Sequence, residues 1–222
     1  MPPNHAFPEV EKQGVYNAIY KRRDVRGQFL PDPVPDEVLH KVLDAAHHAG
    51  SVGFMQPWSF VVVRSREIKQ KVKELFERAN EQAAKVFEGE RRALYSRLKL
   101  EGILESPVNI CVTCDPARHG PYVLGRHTQR QTDIYSTCCA IQNLWLAARA
   151  EGIGMGWVSI FDPKELQKVL LIPEHVVPVA YLCMGYVSEF LSQPELEAAG
   201  WLQRLPLKEL IFYEQWGKKD DQ

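Results

Sequence analysis

Residues 132–151 constrain the fold most, because their apolar side chains leave almost no side of a helix for water. Ile134, Cys138, Ile141, Leu144, Trp145 and Ala148 fall nearly all round the wheel, which predicts a central helix buried on most faces. Such a helix needs packed layers around it. The neighbouring stretches supply them. Phe60-Val-Val-Val63, residues 108–114, residues 153–160 and residues 177–187 read as buried strands. Residues 9–23, with Val10, Val15, Ala18 and Ile19, predict a short amphipathic helix that ends in a basic turn. Val38, Leu39, Val42, Leu43 and Ala46 predict a second helix stopped by Gly50. Ser65 caps a long charged helix running toward Val86, and Asp162-Pro163-Lys-Glu165 begins another.

Residues 90–105 are polar and basic and predict an exposed helical cover. Residues 115–131 form a long loop rich in Gly, His and Arg, of the kind that carries function or moves. Beyond Ser188 the chain carries Trp201, Phe212, Tyr213 and Trp216 along a stretch too extended to pack on its own domain; an arm around a partner subunit would use it. Long helices precede several strands, so the expectation is an α+β layered fold, one domain over residues 1–222 with an arm over 188–222.

Formal net charge is −1, which gives nucleic acid no field to follow. No apolar run reaches membrane-spanning length, and the first residues, Met-Pro-Pro-Asn-His-Ala, lack the basic and apolar regions of a secretion signal. Five cysteines in no disulfide-dense pattern predict reduced thiols and a cytoplasmic, soluble protein. Cys111-Val-Thr-Cys114 has the spacing of half a metal site, but no second pair completes it and the stretch reads as a strand, so no metal is expected.

Two constellations carry chemistry. Arg22-Arg23-Asp24-Val25-Arg26 puts three guanidiniums within five residues, enough to grip a phosphate, or a basic helix end that complements the macrodipole. A carboxylate among them is expected to stay ionised and to orient a ligand or act as a base. Ser51-Val-Gly-Phe-Met-Gln56-Pro57-Trp58 mixes a hydroxyl, an amide, a glycine and bulky apolar groups, the lining of a pocket for a flat ligand with polar edges, or an ordinary connection. Gly152-Ile-Gly154-Met-Gly156 opens a strand instead of joining a strand to a helix, which argues against a dinucleotide fold. Its glycines would let backbone approach a flat ring.

With Gly154-Met-Gly156-Trp157 beyond the buried helix, these stretches resemble the nitroreductase-type FMN enzymes from Tyr16 to Arg204. Asp24 stands where those enzymes often have Ser or Thr, and Phe54 where they commonly have Asn. Together with Gly156-Trp-Val-Ser159, the motifs resemble the 5,6-dimethylbenzimidazole synthase branch of that family. The resemblance implies an antiparallel-rich sheet flanked by helices, a homodimer with exchanged arms, and FMN at the subunit interface. It implies that Arg22, Arg23, Asp24, Val25 and Arg26 bind FMN, with Ser51, Gly53, Met55, Gln56, Trp157, Ser159 and Arg204. Asp24 and Ser159 would be catalytic. Reduced FMN would be the substrate and O2 the co-substrate, giving 5,6-dimethylbenzimidazole and erythrose 4-phosphate for cobalamin. A separate NAD(P)H flavin reductase would supply reduced FMN. An NAD(P)H-dependent nitro- or flavin reductase that keeps its FMN, and a non-enzymatic flavin binder, are the other readings.

Overall fold

β-Branched and apolar runs set the centre of the fold. The computed structural model describes residues 5–219; the first four residues and the last three of the expected arm lie outside them. In chain order the elements are α1 (Glu9–Lys21), α2 (Asp36–His47), β1 (Trp58–Val63), α3 (Arg66–Ala84), α4 (Gly89–Tyr95), β2 (Val108–Cys114), α5 (Thr132–Ala150), β3 (Ile153–Val158), α6 (Pro163–Leu170), β4 (Val177–Tyr186) and α7 (Glu195–Ala198). The four strands form one sheet in the order β1-β2-β4-β3, with every neighbour antiparallel. The α+β class expected from the sequence is the observed one.

Strand alternation sorts the core into two layers. Ile110 and Val112 of β2, and Ala180, Leu182 and Met184 of β4, pack on α2 and α5 through Leu39, Val42, Ile141 and Leu144. Cys111, Tyr181 and Cys183 face the other way, onto Val72, Leu75 and Phe76 of α3 and Leu166 of α6. Burying both faces explains why β2 has no exposed residue. It also settles the two cysteines of β2. They are three apart on a strand, so they point to opposite faces and cannot share a metal; burial pushes Cys111 up to about 12 and Cys114 up to about 11. Among the described residues no cluster suits a metal ion, and no helix is long and apolar enough to cross a membrane.

Helix caps fall where the side chains demand. Ser65 accepts from the Ile68 N–H, and Asp162 from the Lys164 and Glu165 N–H groups with Pro163 at the first turn.

Four expectations need correction. Helix α1 buries no residue; Val10, Val15 and Ile19 are exposed, so its apolar face has no cover within the chain. Helix α5 is buried along one side only. Its first half buries Thr132, Asp133, Ser136 and Thr137 and exposes Tyr135, Cys138 and Cys139. The buried hydroxyls are satisfied by back-bonds, Ser136 to the Thr132 carbonyl and Thr137 to the Asp133 carbonyl. The expected cover over 90–105 is helical only to Tyr95, and its second half is core. Glu101 and Ile103 are buried there, because Glu101 takes hydrogen bonds from Lys73, Lys99 and the Ile103 N–H, each at 2.8 Å. Finally, the first part of the tail packs on its own chain: Trp201 sits against Phe87 and Tyr95, with the Arg91 guanidinium 3.7 Å from its ring centre. Past Trp201 nearly every described residue is exposed, including Leu202, Leu205, Leu207 and Trp216.

Candidate active site

The basic turn after α1 runs along the free edge of β3. Asp24 bridges Met155 in parallel, and the Val25 N–H donates to the Met155 carbonyl at 2.8 Å. Gly156 permits this approach: a Cβ there would lie 2.1 Å from the Val25 carbonyl oxygen. The backbone that these glycines admit is therefore the chain's own, not a flat ring, and Val25 itself is buried against Gly154.

This docking fixes the Asp24 carboxylate. Oδ1 accepts from the Trp157 N–H at 3.0 Å, and Oδ2 pairs with Nη2 of Arg26. Burial raises the carboxyl above its ordinary value. Arg26, the Trp157 N–H and Arg22 pull it down, and Glu195 adds to the rise. Lost hydration thus outweighs the arginines in setting the direction of the shift.

Arg22, Arg23, Asp24, Arg26 and Arg204 line one cavity of about 120 Å³ with Pro194, Glu195 and Leu196. The arginines divide into two kinds. Arg23 is committed to backbone carbonyls, those of Leu191 (2.9 Å), Ser192 (2.6 Å), Tyr20 (3.0 Å) and Arg22 (2.7 Å). It pins the tail, a role the sequence did not announce. Arg22 lies over the Trp145 ring, 4.6 Å from its centre; burial lowers its pKa, opposed by Asp24 and assisted by Arg23 and Arg204. Among the described residues neither the Arg22 nor the Arg204 guanidinium has a hydrogen-bonded partner, and Nε of Arg26 is a buried donor with none. Guanidiniums without partners around a small cavity are what an anion would satisfy. At about 120 Å³ the cavity suits a phosphate group and falls well short of the ~300–1,000 Å³ that holds a whole ligand.

The second motif is elsewhere. The Val52 N–H donates to Ser136 Oγ at the start of α5, and the Gln56 N–H donates to Ser51 Oγ, both at 3.1 Å. Gly53 is left-handed (φ 59°), as are Phe54 (54°) and Gln56 (45°), and a Cβ on Gly53 would lie 2.6 Å from the Leu124 carbonyl. Met55 is fully buried. Arg118 holds the Gln56 and Trp58 carbonyls at 2.8 and 2.6 Å. Among the described residues, no hydrogen bond, ion pair or ring contact joins this loop to the arginine cluster. Trp157 is half-buried beside Asp24, and Ser159 is exposed one residue past the end of β3. Sequence reasoning missed Glu195, whose Oε2 lies 3.3 Å from Nη1 of Arg26. A single Glu in a polar tail gives no signal of that contact.

The model of the nitroreductase family matches residues 19–186. The chain belongs to the nitroreductase family. Within that family it is 43% identical over 185 residues to a 5,6-dimethylbenzimidazole synthase of Rhodospirillum rubrum, covering 83% of this chain and 87% of that protein. A second synthase, of Rhodobacter capsulatus, is 38% identical over 204 residues, covering 90% and 96%. Solved nitroreductase-like folds agree. A BluB-like flavoprotein from Clostridium difficile 630 matches with a TM-score of 0.69 at 21% identity, over 90% of this chain and 99% of that one. An iodotyrosine deiodinase bound to FMN and 3-iodo-L-tyrosine matches with 0.68 at 23% identity, over 81% and 92%.

Proposed function

We propose that this chain is a 5,6-dimethylbenzimidazole synthase that consumes reduced FMN with O2 and releases the benzimidazole and erythrose 4-phosphate for cobalamin. The observation that carries this reading is Asp24, a carboxylate held between the Trp157 N–H and Arg26 at an arginine-lined cavity, in a chain 43% identical to a synthase. Bound reduced FMN supplies the electrons that activate O2 and the carbon skeleton of the product.

The chain's own groups do the rest. Arg22 and Arg204 hold the phosphate, with Arg26 at the same cavity, since among the described residues the first two guanidiniums make no hydrogen bond. Asp24 moves protons at the ribityl carbons and hydroxyls as general base or acid, typically worth ~10²–10⁴-fold. Two fixed partners orient it, and its raised pKa brings it closer to working pH. Ser159, at the end of β3, offers a hydroxyl to the flavin. Ser51, Gly53 and Gln56 frame the ring from a second copy of the chain, with Met55 buried beneath them as packing, because their loop does not reach the arginines of its own. The uncovered apolar faces of α1 and α5 support the homodimer, and the exposed tail past Trp201 supports the exchanged arm of a single domain. Helix α4 is the candidate lid, without the buried residues 101–106. Five free cysteines fit a cytoplasmic protein served by a separate NAD(P)H flavin reductase.

Turnover tests the reading. Incubated with excess reduced FMN in air, the protein should deplete FMN in proportion to the benzimidazole formed. A flavin that is only reoxidised, turnover after turnover, would make it a reductase.

A further inference from the structure

We propose that Glu195 is a positioning residue for Asp24: by engaging Nη1 of Arg26, it shares that guanidinium's charge with Asp24 instead of leaving it to Asp24 alone. The inference rests on the reading of Asp24 as the proton-transfer group. Arg26 is buried, with Nη2 on Asp24 Oδ2, Nη1 3.3 Å from Glu195 Oε2, and Nε unpaired. One guanidinium therefore bridges two carboxylates. A guanidinium whose charge faced one carboxylate alone would hold Asp24 ionised and weakly basic. Sharing leaves Asp24 a greater affinity for a proton.

Glu195 is the first residue of α7 and reaches Arg26 because the tail is pinned just before it, through Arg23 and the Leu191 and Ser192 carbonyls. The charged groups acting on Asp24 are Arg22, Arg26 and Glu195; Arg23 and Arg204 line the same cavity. Four guanidiniums and two carboxylates give the lining a formal charge of +2, the complement of a phosphate dianion. Removing the Glu195 charge leaves the grip on phosphate intact or stronger while the Arg26 charge falls to Asp24 alone. A merely structural Glu195 would do neither.

The test is a direct titration. The full-length protein is labelled with 13C at the Asp carboxyls, and Asp24 is assigned by the signal missing in Asp24→Asn. In Glu195→Gln, Asp24 should titrate at lower pH than in the parent, with and without oxidised FMN, and FMN affinity should not fall. Glu195→Asp should bring the titration back toward the parent's. The acidic limb of benzimidazole formation should move down in pH with it. Unchanged Asp24 titration in folded Glu195→Gln overturns the proposal, as does FMN affinity that falls in step with thermal stability. If Glu195→Gln does not fold, Glu195→Asp must itself lower the titration by a smaller step, and no step overturns the proposal. A parent protein that makes no benzimidazole would defeat the proposed function, yet the Asp24 titration would still be readable.

Discussion

The Trp157 N–H donates to Oδ1 of Asp24 at 3.0 Å, joining residues 133 positions apart. A backbone donor cannot rotate away, so the carboxylate is aimed by the sheet itself. Asp24→Asn keeps this bond through the amide oxygen but turns an NH2 group toward Arg26. We expect the variant to bind reduced FMN and return it to oxidised FMN in air, with benzimidazole formation reduced by ~10²-fold or more. Product at the parental rate, measured by mass spectrometry, would move proton transfer to another group.

Gly156→Ala should be costlier than Gly154→Ala. At 156 the new methyl meets the Val25 carbonyl at 2.1 Å, which is backbone; at 154 it meets side-chain atoms of Val187 and Val25 at 2.4 and 3.0 Å. We expect Gly156→Ala to lose about 2–3 kcal/mol in urea unfolding and to weaken FMN binding, since the Asp24 segment must leave the strand edge. Equal costs at both positions would argue against that docking.

The arginines should separate by assay. Arg22→Ala and Arg204→Ala each lose charge-assisted bonds to phosphate, so FMN affinity should fall about ten- to a hundredfold while riboflavin affinity changes little. Arg23→Ala removes the anchor on Leu191 and Ser192 instead. Limited proteolysis should then cut the tail near those residues faster than in the parent protein. Loss of the FMN preference in Arg23→Ala, with an intact tail, would reverse these roles.

Glu101 offers a pH-dependent test away from the site. Burial alone would raise its carboxyl, but hydrogen bonds from Lys73, Lys99 and the Ile103 N–H outweigh it and hold the pKa below the usual value. A carboxyl depressed on folding stabilises fully above its unfolded pKa and loses that contribution as pH falls through the folded one. Glu101→Gln should therefore cost about 2 kcal/mol at neutral pH and little in acid. A cost that does not vary with pH would mean that packing, not charge, matters there.

The strands were legible because continuous apolar runs mark them, and the central β2 is buried on both faces. The site was legible only as motifs. Nothing in Arg22–Arg26 states that β3 lies beside it, since sheet order decides that. Residues 101–106 misled because Glu101 and Ser106 are polar yet buried, satisfied by Lys73 and Asn109 from other segments. Helix α5 misled in the opposite sense, since Cys138 read as part of a helix buried on most faces and lies exposed in the single chain.

The central claim is that FMN is consumed, and the carbon atoms decide it. Reduced FMN carrying 13C at ribityl C1′ is mixed with the protein in air, and the products are read by mass spectrometry. The account predicts 5,6-dimethylbenzimidazole with the label at C2, formed as FMN disappears, and unlabelled erythrose 4-phosphate. Full recovery of labelled FMN, or a benzimidazole without the label, would contradict it.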